Sequence, residues 1–97
     1  MPDSEKKTLS LEALAKKARE LKSQGKKVVL SHGIFDLIHN GHISHLKKAR
    51  CEGDVLMVTL IGDEYVNLGP DHPMFSEQLR AETLAALGCV DYIAINH

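Results

Sequence analysis

Tryptophan is absent from this sequence, and tyrosine and phenylalanine supply only two residues each. A core made from it has to be aliphatic, which suits a parallel sheet covered by helices. Long apolar runs are missing too. The longest, VLMVTLI from Val55 to Ile61, falls far short of the ~20 residues that cross a bilayer, and no apolar N-terminal segment resembles a signal peptide. A membrane partner is therefore not expected, and the expected location is cytoplasmic. Charge of one sign is not in surplus either. Lysine and arginine number 12 against 13 acids, a formal charge of −1, so nothing draws the chain to a polyanion in general and nucleic acid is not the expected target. Cysteine is scarce. Cys51 and Cys89 lack a C-x-x-C spacing, give no support to a disulfide framework or structural zinc site, and are expected as small buried hydrophobes.

What remains is one small domain of 97 residues, near the size at which a single core is only modestly stable. Residues 1–8 are expected to be a disordered, polar end and 9–97 the folded domain. Leu11, Leu14, Ala15, Ala18 and Leu21 recur at helical spacing, with Ser10 placed as N-cap and Gly25 after the last turn. KVVL, Lys27 to Leu30, reads as a buried strand. Ile43, Leu46 and Ala49 mark a second helix, with Asn40 as its expected N-cap and Gly53 as its stop. DVLMVTLIGD is a second strand, and residues 63–75 read as an irregular loop rich in turn formers. Ser76 is expected to cap a third helix presenting Leu79, Thr83, Ala86 and Leu87 on one face, followed by a third strand, Val90 to Ile95. Helix and strand alternate, which predicts an α/β, Rossmann-like parallel sheet of three strands with helices on both faces, plus the N-terminal helix: half of a doubly wound domain.

Ligands of such sheets bind at the carboxyl ends of the strands. Just there the sequence places SHGIFDLIHNGH, residues 31 to 42. Gly33 and Gly41 let backbone approach a ligand closely. His39 and His42 flank Gly41 at the start of a helix, where unpaired N–H groups and the dipole already favour an anion. Together they describe a phosphate site in which each histidine begins as a neutral hydrogen-bond donor. A metal site on His39, His42 and His45 is the competing explanation, although steps of three place the third ring well around a helix from the first. Asp36 has a plainer role available, bonding nearby backbone N–H groups in a turn, and Phe35 a place in the core.

GIFDLIHNGH resembles the G-x-F-D-x-x-H-x-G-H signature of the cytidylyltransferase-like nucleotidyltransferases, which include glycerol-3-phosphate cytidylyltransferase. The likeness is strongest to the heptose-synthase type of domain within that family. It extends through SLEALAKKARELKSQGKKVVL, GDVLMVTLIGDEYVN and SEQLRAETLAALGCVDYIAIN, roughly residues 9 to 96. The resemblance implies transfer of CMP or AMP from CTP or ATP to a phosphorylated sugar or polyol, with release of pyrophosphate and with Mg²⁺ accompanying the NTP. It implies catalytic roles for His39 and His42, and nucleotide binding by Gly33, Ile34, Phe35, Asp36, Gly41 and Arg80, the last matching the arginine of an E-Q-x-R pattern. Arg80 has a solvated surface position as its plainer reading, and His32 that of an incidental loop residue. Tyr65 and Asn67 lie in a loop at the same edge.

The sequence departs from the family pattern in two places. Where the family carries K-G-P-G-R-P this chain has LGPDHP, so Leu68 stands at the lysine position and His72 at the arginine position, and leucine cannot replace a phosphate-facing charge. A second signature, an I-S-S-T-like segment, would fall after the last residue. Two further readings follow: a nucleotide-binding remnant without turnover, and a half-domain that self-associates through unpaired strand edges, so that a homo-oligomer is expected.

Overall fold

The computed structural model describes residues 7–36, 38, 40–66 and 75–97. Among them four strands form one parallel sheet: β1 (Thr8–Leu9), β2 (Val28–Gly33), β3 (Val55–Ile61) and β4 (Tyr92–Asn96), in the order β1-β4-β3-β2. Three helices accompany them, α1 (Leu11–Ser23), α2 (Asn40–Cys51) and α3 (Glu77–Ala85), with a single 3-10 turn at Asp63–Tyr65. No helix among the described residues is long and apolar enough to cross a membrane.

Alternation along the strands sends side chains to two cores. On one face Leu56, Val58, Leu60 and Ile93 meet Leu46 of α2 and Ala81, Leu84 and Ala85 of α3. On the other, Val55, Met57 and Ala94 meet Leu14 of α1, with Ala18 and Leu21 beside it. Each fully buried aliphatic side chain contributes about 1.5–3 kcal/mol, and β3 carries the largest share because it is covered on both faces.

Several local readings hold. Ser10 Oγ accepts from the Ala13 N–H at 3.1 Å, and Ser76 Oγ from the Leu79 N–H at 3.2 Å. Gly25 takes φ 81° just after α1, the left-handed position that releases the chain toward β2.

Others are corrected. The sheet has four described strands, not three, because Thr8 and Leu9 pair with Ile93 and Ala94. The disordered end therefore does not extend to Lys7 and Thr8. Lys7 Nζ donates to the Ala85 and Leu87 carbonyls at 3.0 and 3.2 Å, satisfying acceptors at the end of α3. Residues 1–6 lie outside the described residues. Asn40 is the first helical residue of α2 rather than its cap. The buried face of α3 is Arg80, Ala81, Leu84 and Ala85, whereas Leu79 is 44% exposed and Thr83 turns its hydroxyl back to the Leu79 carbonyl at 2.9 Å. Of the expected face, Leu87 packs against the core. The shift follows from small residues at 81 and 85, which let the helix lie close to the sheet, and from the buried bonds of Arg80. Cys51 is exposed, and only Cys89 rests partly on the core.

Gly53, in the turn from α2 into β3, has no room for a side chain. A Cβ there would lie 2.7 Å from Val29 Cγ2 and 2.8 Å from the Lys27 carbonyl oxygen. Gly53→Ala is expected to destabilise the domain by about 1–3 kcal/mol, read as a lowered midpoint in urea with an unchanged slope.

Candidate functional site

The carboxyl ends of β2, β3 and β4 gather on one side of the sheet, together with the first turn of α2. β2 runs on through Ser31, His32 and Gly33, so the first residues of the glycine and histidine segment are strand rather than loop. Phe35 then takes φ 54°. A bulky residue in the left-handed region costs about 1–2 kcal/mol, which is offset by burying the ring at 8% exposure within the core. Gly33 makes this fold-back possible, since a Cβ at that position would stand 3.0 Å from the Phe35 ring. The same ring lies 5.9 Å from that of His42, tilted by 60°. Phe35 is thus a core residue that also supports the histidine of α2.

Asp36 is buried at 8% exposure. Its Oδ1 accepts from the Phe75 N–H at 2.9 Å, a bond across 39 residues of sequence that ties the segment to the start of α3. It is therefore more than a local turn carboxylate. Arg80 completes the tie. Its side chain is fully buried and donates from Nε to the Phe75 carbonyl (3.1 Å), from Nη1 to the Ile34 and Ile61 carbonyls (2.8 and 2.7 Å) and from Nη2 to Asp63 Oδ1 (2.7 Å). These bonds use nearly all that a guanidinium can donate. Arg80 is not solvated, and its bonds position the loops around the ends of β2 and β3. Ile34, expected at the nucleotide, enters this network through its carbonyl.

Asp63 and Glu77 are site-shaping residues that the sequence reading missed. Glu77 Oε1 accepts from the Asp63 N–H at 3.0 Å, and His97 Nε2 lies 3.3 Å from Glu77 Oε2. The available signal was an acid directly after an aliphatic strand, facing an arginine one helix later.

Asn40, Gly41 and His42 open α2, whose first turn carries no acidic side chain. That turn adds no carboxylate of its own to the positive end of the helix. His45 is exposed one turn on, and Tyr65 is 60% exposed on the 3-10 turn. His39, Asn67, Leu68 and His72 lie outside the described residues. Among those described, no group of three or more His, Cys, Asp or Glu is placed to hold a metal ion.

Comparison with known proteins bears on this arrangement. A family model described as cytidylyltransferase-like matches residues 30–96. The chain is 45% identical over 96 residues to the bifunctional protein HldE of Geotalea uraniireducens, covering 97% of this chain and 20% of that protein. It is 37% identical over 95 residues to the HldE of Wolinella succinogenes, covering 96% and 20%. It thus spans about a fifth of the length of these curated relatives. Among solved structures it is similar to a lipopolysaccharide core biosynthesis protein from Thermoplasma volcanium, with a TM-score of 0.69 and 33% identity over 75% of this chain and 60% of that one.

The burial of Arg80 makes a stability prediction that a ligand-only role does not. Arg80→Met leaves Asp63 and three carbonyls without their donor and is expected to cost about 3–5 kcal/mol with no ligand present. Equilibrium denaturation checks this, and an unchanged midpoint would return Arg80 to a purely ligand-facing role.

Proposed function

Because the chain belongs to the cytidylyltransferase-like family, we propose that it acts in nucleotidyl transfer, moving CMP or AMP from CTP or ATP to a phosphorylated sugar or polyol. The observation that carries this reading is the opening turn of α2, which contributes no acidic side chain of its own and follows the carboxyl end of β2, with the His42 ring 5.9 Å from that of Phe35. Such a turn offers backbone N–H groups and an imidazole donor to the phosphates of an NTP. His39, by its place in the signature, is assigned to the same triphosphate.

In the proposed reaction an oxygen of the acceptor phosphate attacks the α-phosphorus in line. The bond from the α-phosphorus to its bridging oxygen breaks, and pyrophosphate leaves with the electron pair. Positioning and charge stabilisation supply most of the rate. His42 donates to phosphate oxygens whose charge grows as pyrophosphate departs. Asp36 and Arg80 keep the ends of β2 and β3 and the start of α3 in register with that turn. Mg²⁺ is assigned to the NTP that carries it, held chiefly by phosphate and water. The proposed place of action is the cytoplasm.

A second reading, association of two copies without turnover, rests on β2. It lies at an edge of the described sheet, and Leu30 on it is 63% exposed. Sedimentation over a concentration series is expected to show a dimer if two β2 edges pair, and Leu30→Lys should return it to monomer.

The nucleotide reading is tested by thermal melts with CTP or ATP and Mg²⁺. A ligand at ~100 times its dissociation constant adds ~2.7 kcal/mol, which for a domain this small moves the midpoint by several degrees. The expected result is a shift with one NTP that His42→Ala abolishes, followed by pyrophosphate release once a sugar phosphate is added. No shift with either nucleotide overturns the reading.

A further inference from the structure

His32 stands outside the family signature, yet the structure gives it a defined place. It is the next-to-last residue of β2, paired in register with Thr59 of β3. Its Nδ1 lies 2.6 Å from Thr59 Oγ1. Thr59 is the polar residue of an otherwise aliphatic strand and is 9% exposed. A buried hydroxyl is costly without a partner, and a strand serving only the core would be better filled by an aliphatic residue there. The pair fixes the imidazole in one orientation at the mouth of the sheet.

Two consequences follow from ring chemistry and strand alternation. If the Thr59 hydroxyl donates to Nδ1, the neutral imidazole carries its proton on Nε2, the tautomer the proposal below requires. The two ring nitrogens point in diverging directions, so Nε2 faces away from the Thr59 hydroxyl. Alternation also sends His32 to the face shared by Val28 and Met57, the α1 face. Val29 of β2 belongs to the core under α2 and α3. The end of β2 therefore separates His32 from His42.

An in-line displacement needs the attacking oxygen on the side of the α-phosphorus opposite the departing pyrophosphate. If the triphosphate tail lies at the first turn of α2, as proposed above, the attacking oxygen enters from the side away from α2, and His32 lies on the face of β2 away from α2. Resting on the nucleotidyl-transfer reading, we propose that His32, oriented by Thr59, is the contact for the second substrate, with its Nε2–H donating to the phosphate of a phosphate monoester. Thr59 is a positioning residue.

The test observes the histidine rings directly, by long-range proton–nitrogen correlation spectra of the full chain, with His32→Gln used for assignment. One arm adds Mg²⁺ with a non-hydrolysable CTP or ATP analogue, and the other adds glycerol 3-phosphate, a hexose 1-phosphate or inorganic phosphate up to saturation. The analogue is expected to move His42 and leave His32, whereas a monoester moves His32, with Nδ1 keeping its acceptor signature. Thr59→Val is expected to weaken the monoester response about tenfold without lowering analogue affinity. Inorganic phosphate acting alone identifies a bare anion contact and overturns the monoester assignment. A His32 unmoved by every monoester, or moved only by the nucleotide, overturns the proposal. An unmoved His42 beside a responding His32 sinks the nucleotide reading instead, so the two failures are distinguishable.

Discussion

The organising interaction of this molecule is the buried guanidinium of Arg80. A charge without solvent access must find its compensation inside the protein, and here it finds the backbone ends of β2 and β3, the Phe75 carbonyl before α3 and the Asp63 carboxylate. Parallel strands end in carbonyls that no further turn of sheet can satisfy. One side chain from α3 meets two of them at once, so that the helix, the loop ahead of it and the strand ends form one unit. Asp36 reinforces the unit from the other side by holding the Phe75 N–H.

Much of the fold was legible in the sequence because its signals are local. Ser10 and Ser76 announce helix starts through hydroxyls three residues ahead of the amides they cap, and the aliphatic run from Val55 announces a strand buried on both faces. The misreadings arose where a distant partner decides the outcome. Thr8 and Leu9 are too short a segment to carry a period and become strand only by pairing with β4. The face of α3 was read from Leu79 and Leu87, since arginine counts as polar in any periodicity, yet the carbonyl-lined pocket pulls Arg80 inward and turns Leu79 out. His32, outside the family signature, reads as an incidental loop residue, yet pairing with β3 carries the strand through Gly33.

The candidate site shows the same division. The glycines, the histidines and the helix start proposed to form an anion site lie within twelve residues of sequence. Their support could not be read directly, because Phe75, Asp63 and Thr59 lie tens of residues away and have no signature of their own. Phe35 joins the two levels. Its left-handed backbone is strained, its ring is core, and its edge carries His42, so the strain that shapes the site is offset by the burial that stabilises the domain.

Stability and site are therefore hard to separate in so small a chain. At roughly 0.05–0.15 kcal/mol per residue, a domain of this length has little margin, and the buried bonds of Arg80 and Asp36 lie at the carboxyl ends of the strands. The proposed binding would draw on the same network that holds β2, β3 and α3 together. In the proposed reading, a phosphate on the first turn of α2 adds an anion to a helix end with no acidic side chain of its own, beside a His42 whose ring lies against Phe35. Under that proposal the free energy of binding would be shared with the fold, so the response of the melt to a nucleotide would report how completely this end of the sheet is organised before the ligand arrives.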